Sequence, residues 1–528
     1  MDSLKNDDKL TVLNRSSQYR ISKKLIRKVP YFGKMLSHEC LESKENKVEL
    51  DFDEQALKLI FHWIEHGYIF IEMDCVINLC TIADYFGMDN HLKDQCSKHF
   101  HDNFSIEHLP VVIPQVTSTS KLIDSGKLDA FICRYFTKIV NTSVWLDYPI
   151  ETIEYICALN LMIYSEVQVF DAIIRWVEFK KDPRKSYLKG LLNSIRWCHL
   201  EDKDLAQLKE NKYVKSANFK PKLCSREASG CNCSIDRTKQ NYFIAIEKLD
   251  DTDLQVKVLD KNFMLLVNQV IQSDKSLPLH PIHDEHISDI FFDSGRKMIR
   301  IDWKQKRYRM HTSFKNFKSY YLKMNKLIFD DQKSEEQYIV PTNWLKGNGN
   351  GNGNGNDLVI PDHGYEGSLL EANDKFILVR NYANQFKYWT TPTVENMESH
   401  LTLRTHTYVA TILDNYIYML TKEFEFIQFN IDRKWFDWKL FERIGLEKIK
   451  DKLNFSSLLL TSSKANEEDK VIIIDRYTKA FFCYHVKTKK WSSMGSIVDS
   501  GSDGQKDLIT FTSTFLSIDA IKACINLS

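Results

Sequence analysis

At 528 residues the chain has room for about three domains of ordinary size, and a 43% hydrophobic share argues against wholesale disorder. Its 72 Lys and Arg balance 71 Asp and Glu, a formal net charge of +1, so the global positive field of a dedicated nucleic-acid binder is missing. The polar, acidic start MDSLKNDDKL does not read as a signal peptide, and no apolar run reaches the roughly 18 residues that cross a bilayer. An intracellular protein, cytoplasmic or nuclear, with no membrane partner, is expected.

Lys9-Leu-Thr-Val-Leu13 reads as a strand, Asn14 to Gln18 as a turn and Tyr19-Arg-Ile21 as the returning strand of a hairpin. Apolar residues from Leu25 to Leu36 fall near helical spacing, and Pro30 divides them into two short helices. Val48-Glu-Leu50 is a third strand. Asp53 caps a helix whose stripe is Leu57, Ile60 and Ile64 and which stops at Gly67. Asp74 is expected to cap the next helix, Gly87 to end it, and Leu92, Cys96 and Phe100 mark another. Of the 12 scattered cysteines, Cys75, Cys80 and Cys157 sit among apolar helical residues, as reduced thiols acting as small hydrophobes would.

Several of these stretches resemble the BTB (POZ) family. Val29-Pro-Tyr-Phe-Gly-Lys-Met-Leu36 is similar to its "SPYFxxML", and Glu42-Ser43 with Val48-Glu-Leu50 to its "ESxxxxVEL". Ala56 to Ile69 is similar to its "A.k.il.wiYtG.i", and Ala83-Asp-Tyr-Phe-Gly-Met88 to its "AdyfgM". Two departures stand out. The family's "FxxHk" is here Tyr19-Arg-Ile-Ser-Lys-Lys24, and only eight residues precede Lys9 where long-form members carry a strand and helix that help form a dimer. The resemblance implies a possible homodimer through this domain, which so short a lead would weaken.

Residues 105–215 carry amphipathic runs: Phe131, Tyr135 and Ile139, then Phe170, Ile173, Ile174 and Val177. Ser165 and Glu166 read as a helix entry with the acid in its first turn. Leu161 to Phe170 with Trp176 resembles the BACK family's "L.v.sE..vf.a...W", and Arg184 with Leu191 to Arg196 its "R....l..LL..vR".

From about residue 240 the pattern changes to β-branched and aromatic strands. Lys297 to Ile301 precedes Tyr308, Lys375 to Val379 precedes Tyr388 and Trp389, and Asn415 to Tyr418 precedes Phe426 to Phe429, Asp432 and Trp435. Lys470 to Asp475 precedes Phe481 to Tyr484 and Trp491. This rhythm resembles kelch-like propeller blades, about six of roughly 40–50 residues each, although the chain lacks the kelch Gly-Gly pair. Another all-β arrangement stays open.

The expected organisation is therefore multidomain. It comprises an α+β BTB domain over 1–104, an all-α BACK domain over 105–216 and a linker over 217–239. An all-β, degenerate kelch-like β-propeller follows over 240–528. Five Gly-Asn repeats at 347–356 read as a flexible surface loop.

The chemistry is sparse. Cys224, Cys231 and Cys233 lack the paired spacing of a zinc site and read as loop thiols. His280, His283 and His286 are three apart, but Pro278 and Pro281 disfavour a helix, so an exposed polar loop is expected. Lys304-Gln-Lys-Arg307, beside Asp302, reads as a solvated turn. There is no GxxxxGK[ST], HExxH or GxSxG, so no catalytic residue, cofactor or metal is expected.

The paired BTB and BACK resemblances imply a substrate-recruiting adaptor of a cullin-3 ubiquitin ligase. The family's hydrophobic-x-Glu cullin contact falls on Cys40, Leu41 and Glu42, with cysteine a smaller apolar group than the usual Phe, Met or Leu. Its β-rich half would bind the target protein through its loops. The alternative is a BTB scaffold that works without a cullin, in cytoskeletal organisation or transcription.

Overall fold

Lys9–Asn14 (β1) and Ser17–Ser22 (β2) form an antiparallel hairpin, and Lys47–Leu50 (β3) joins β1 in parallel, giving the order β2-β1-β3. The computed structural model describes residues 8–88, 90–221, 223–224, 235–311, 320, 323–324, 326–329, 367–372, 376–382, 385–390, 397–402, 408–430, 441–444, 453–464, 469–496, 507–517 and 520–521. Its chain divides into two compact units, residues 1–131 with 148–153, and 132–147 with 154–528.

In the first unit the hairpin turn is tighter than expected. β1 runs on through Asn14, which is fully buried, so the turn is left to Arg15 and Ser16, with Arg15 at φ +49°. Asn14 has another task. Its side-chain amide donates to Phe52 O and accepts from Phe52 N, and it also meets Glu54, clamping β1 to the entry of the following helix.

The short helices Lys23–Ile26 (α1), Pro30–Ser37 (α2) and Leu41–Glu45 (α3) follow. Pro30 does not merely break the helical run; it opens α2 at the first helical position, where its missing N–H costs nothing.

Glu54–His66 (α4) begins as expected, with the Asp53 carboxylate accepting from Ala56 N at 2.9 Å, and Gly67 closes it at φ +80°. Replacing Asp53 with alanine is expected to cost about 1 kcal/mol, seen as a lower denaturation midpoint; an unmoved midpoint would show the cap to be idle.

Val76–Tyr85 (α5) is entered from Cys75, not Asp74, which instead accepts from Gln55 Nε2 at 3.0 Å. Asn90–Asn103 (α6) and Leu109–Val112 (α7) complete the run. Leu10, Val12, Phe32, Leu57, Ile60, Val76 and Phe86 are buried in this unit. So are Cys75, Cys80 and Cys96, whose thiols burial pushes up to about 11, 11 and 12. They are protonated and act as small apolar side chains, as their spacing suggested.

The remaining helices are Ser125–Ile139 (α8), Val144–Asp147 (α9), Ile150–Ala158 (α10), Glu166–Phe179 (α11), Lys181–Arg184 (α12), Leu188–Leu191 (α13), Asp202–Lys209 (α14) and Lys212–Ser216 (α15). Within the second unit Trp145 Nε1 donates to Ala172 O at 3.0 Å, and Arg184 lies 4.0 Å over the Trp176 ring while donating to Trp176 O. Ser165 and Gln168 form a reciprocal capping box at the start of α11.

Glu166 is in the first turn as expected, and it has a further role. It is fully buried and takes both arms of Arg237, at 2.6 and 2.7 Å. Arg237, also fully buried, donates to the carbonyls of Cys157, Leu159 and Ser194 as well, and Gln240 donates to Leu161 O. Residues 235–240 are thus tied to the helices before the chain enters its strands.

The β-rich part of the second unit is built from antiparallel meanders. Asn241–Lys248 (β4), Asp253–Leu259 (β5), Leu265–Ser273 (β6), Ile287–Phe292 (β7), Lys297–Asp302 (β8) and Arg307–His311 (β9) come first. Three four-stranded sheets follow. Gly367–Glu371 (β10), Phe376–Tyr382 (β11), Gln385–Thr390 (β12) and Met397–Thr402 (β13) form one. Tyr408–Leu413 (β14), Tyr416–Thr421 (β15), Phe426–Asn430 (β16) and Phe441–Ile444 (β17) form the next. Leu458–Ser463 (β18), Lys470–Asp475 (β19), Ala480–His485 (β20) and Lys490–Ser496 (β21) form the third.

Leu508–Phe515 (β22) returns to pair with β4, giving a seven-stranded sheet ordered β22-β4-β5-β6-β9-β8-β7. β6 and β9 meet in parallel through only Gln272–Arg307 and Ser273–Tyr308. The strands β22, β7, β10, β14 and β18 neighbour one another in that cyclic order.

Successive sheets share cores on both faces. Tyr408, Ala410 and Ile412 of β14 pack with Leu370 and Ile377, while Val409 and Leu413 pack with Leu458, Val471 and Ile473. This explains why β14 and β19 are apolar almost throughout and do not alternate with polar residues. The second and third strands anticipated at 297–301, 416–418, 426–429, 470–475 and 481–484 are all strands, and Trp491 closes its unit against Tyr484 and Phe426, at 5.2 and 5.1 Å. Trp435 and the Gly-Asn repeats at 347–356 lie outside the described residues.

Candidate protein-interaction site

The residues matched to a cullin contact sit where α2 passes into α3. Gly33 lets α2 approach the preceding turn, since a Cβ there would fall 2.9 Å from Arg27 O. His38 is extended, Cys40 is the residue before α3, and Asn46 ends α3 in the left-handed conformation at φ +53°.

The three side chains part company. Cys40 is half-buried and donates its thiol to Met35 O at 3.5 Å. Leu41 is 66% exposed, and Glu42 is exposed beside it. The apolar group offered to solvent is therefore Leu41, one position beyond the residue that motif spacing selects. An aromatic group missed by sequence reasoning lies close by. Tyr31 of α2 packs against Tyr85 at 5.3 Å, and Tyr85 against Phe52 at 5.0 Å. Burial first, and the hydrogen bond to Tyr85 second, push the Tyr31 phenol up to about 12, with Glu42 and Cys40 near enough to contribute. Tyr85 is 53% exposed, and that exposure, set by tertiary packing, left no trace in the spacing of α5.

In the second unit the polar side chains converge on a cavity of about 150 Å³. Its wall includes Arg134 and Lys138 from α8, Glu371 at the end of β10, and Asp414 and Lys464 from the turns after β14 and β18. The charges are matched within the wall: Lys138, 3% exposed, meets Glu371 at 2.9 Å, and Lys464 pairs with Asp414.

Beside the cavity Arg134 donates to the Asp289 carbonyl, and the Asp289 carboxylate takes both arms of Arg300 at 2.6 and 2.7 Å. Tyr320 donates to Asp289 at 3.2 Å and shares a hydrogen bond with Tyr135 of α8 at 3.0 Å. Burial alone would raise the Asp289 pKa, but the Arg300 charge and hydrogen bonds, with His283 behind them, hold it well below the usual carboxylate range. These hydrogen bonds brace α8 against β7.

The remaining candidates resolve as follows. His283 is buried, 9% exposed, with Nε2 3.6 Å from Asp289, against the expectation of an exposed polar loop; His280 is exposed and His286 half-buried. The loop carries no helix, as its prolines implied. Burial of Asp289 and Arg300, invisible in local spacing, draws His283 in. Lys304 to Arg307 is an exposed turn between β8 and β9, held by Gln305 N donating to Asp302. Cys224 N–H donates to Cys198 Sγ at 3.1 Å, while Cys231 and Cys233 lie outside the described residues. Among the described residues no three His, Cys, Asp or Glu are placed to hold a metal ion, and no helix is long and apolar enough to cross a membrane.

The described residues form helical and β-rich parts, with Leu41 and Tyr85 among the exposed large apolar side chains. The family described as "BACK: BTB And C-terminal Kelch" matches residues 117–210. Kelch-like protein 28 of Mus musculus is 27% identical over 188 residues, 35% of this chain and 33% of its own length. Kelch-like protein 9 of Mus musculus is 26% identical over 166 residues, 31% of this chain and 26% of its own, and Kelch-like protein 17 of Homo sapiens 23% identical over 171 residues, 32% and 26%. The chain thus matches about a third or less of the length of these relatives. Apo AztD from Citrobacter koseri is 8% identical with a TM-score of 0.21, covering 51% of this chain and 62% of that one; such a likeness bears no argument. The chain is thus similar to the BACK family over 117–210 and to kelch-like proteins over about a third of its length.

Proposed function

We propose that this chain is a non-catalytic, substrate-recruiting adaptor of a cullin-3 ubiquitin ligase. In this reading residues 1–104 form the BTB domain that binds the cullin, residues 105–216 are the BACK domain, 217–239 link it onward, and the β-rich 240–528 captures a target protein. The observation that carries the reading is Leu41, two-thirds exposed beside Glu42 at the start of α3, in a chain similar to kelch-like proteins. Leu41 supplies the apolar anchor that Cys40, turned onto Met35 O, does not. Glu42 orients polar groups around it, and the Tyr31–Tyr85 pair widens the contact.

For the β-rich half we propose a propeller-like ring. Support comes from the three four-stranded meanders, the shared cores between neighbouring sheets, and β22 completing the sheet that β4 begins. The parallel join of β6 to β9 is its irregular point. Target-binding residues then lie on the loops, where a rigid scaffold usually presents them.

Calorimetry of the full chain with the cullin-3 N-terminal domain tests the reading. Burial of a leucine side chain is worth about 1.5–3 kcal/mol, so Leu41→Asp is expected to weaken binding roughly tenfold or more, with a smaller loss for Glu42→Ala. No heat of binding from the folded chain would overturn the ligase reading. It would favour the scaffold without a cullin, to which the inward Cys40 thiol already lends some support.

A further inference from the structure

Two thiols outside the sites above lie side by side. Cys198 belongs to the turn Trp197–His199, which the buried Trp197 anchors, and Cys224 lies beyond α15. Both are partly exposed, unlike Cys75, Cys80, Cys96, Cys133, Cys157 and Cys483, which are buried. The Cys224 N–H donates to Cys198 Sγ at 3.1 Å, which brings the two residues into direct contact across 26 positions of chain. A side-chain hydrogen bond with Cys198, ahead of burial, raises the Cys224 thiol above the ordinary value. The backbone hydrogen bond fixes the Cys198 sulfur against the Cys224 residue.

We propose that Cys198 and Cys224 form an oxidation site, closing to a disulfide in the presence of a hydroperoxide and reopening with a dithiol. The electron balance is simple. The Cys198 thiolate attacks one oxygen of hydrogen peroxide, the O–O bond breaks, and Cys198 becomes a sulfenic acid as water leaves. Cys224 sulfur then attacks the Cys198 sulfur. The S–S bond forms, the S–O bond breaks and a second water leaves with the Cys224 proton. Two electrons from the two thiols reduce one peroxide to two waters. The bond closes a loop running through α14 and α15, and pins the stretch after α15 to the Trp197 turn.

The test treats the full-length protein with equimolar hydrogen peroxide, alkylates the remaining thiols and maps peptides by mass spectrometry. The expected result is a cross-linked peptide holding Cys198 and Cys224, a joint fall in their alkylation of roughly tenfold, and recovery with dithiothreitol. In Cys224→Ser, Cys198 is expected to stop at the sulfenic acid and to be trapped by dimedone. The inference is overturned if both thiols stay alkylatable, or if Cys224 is found joined to Cys231 or Cys233. It also fails if the untreated protein carries zinc that is lost in Cys224→Ser.

Discussion

Glu166→Ala is expected to lower the stability of the second unit by about 3–5 kcal/mol, the cost of leaving a buried charge without its partner. Arg237 and Glu166 are both fully buried, and the guanidinium holds both carboxylate oxygens at 2.6 and 2.7 Å. Without the carboxylate, Arg237 keeps three carbonyl acceptors, on Cys157, Leu159 and Ser194, but no countercharge. Arg196 N, which donates to Glu166 at 3.1 Å, loses its acceptor at the same time. Arg237→Ala should cost a similar amount for the mirror reason. Glu166→Met with Arg237→Met should cost clearly less than the sum, since an apolar pair of similar size removes both desolvation penalties. Denaturant melts followed at both units decide the matter. Equal midpoints for wild type and Glu166→Ala would show that the pair contributes nothing.

Asp289→Asn is expected to be as damaging and to change the acid response as well. Arg300, 1% exposed, would face a neutral amide in place of two charged hydrogen bonds, and Tyr320 would lose a carboxylate acceptor. A loss of about 3–5 kcal/mol follows. Because the folded carboxylate titrates well below 3.8, its contribution is fully present above that value. It is lost progressively as pH falls from about 4 toward the depressed folded value. Wild type should therefore lose stability more steeply between about pH 4 and 2 than Asp289→Asn does. Parallel acid curves for the two proteins would remove Asp289 from the account of acid sensitivity.

Local signals in the chain were readable because they act through neighbours in sequence. Asp53 capping, the Gly67 stop and the Ser165 entry all depend on residues a few positions apart, and each is in place. The strands of 470–484 were legible from their β-branched and aromatic runs. What escaped depends on residues far apart. Glu166 was read only as a first-turn acid because its partner lies 71 positions away. Asn14 looked like a turn residue because Phe52, its clamp, is 38 positions away. Asp74 failed as a cap for the same reason, since Gln55, 19 positions away, takes its carboxylate.

At the candidate site the motif resemblance selected the stretch, and the side chain it exposes was not readable from it. Motif spacing pointed to 40–42, but which of the three faces solvent is set by how α2 ends and where the Cys40 thiol finds an acceptor. The inward His283 and the Tyr31–Tyr85 pair were unreadable, since each depends on tertiary neighbours with no fixed spacing.

The pairing of β22 with β4 has a consequence for the making of the protein. β4 emerges from the ribosome first among the strands of the β-rich part, yet the edge it offers to Leu508–Phe515 stays open until nearly all of that part has been translated. At about 5–20 residues per second the wait is on the order of tens of seconds. Through that interval Phe243 and Ala245 lack the cover that Phe511 later provides. A polypeptide cut short before residue 508 would keep that exposed apolar edge permanently. Its open edge would be a template for pairing with other chains.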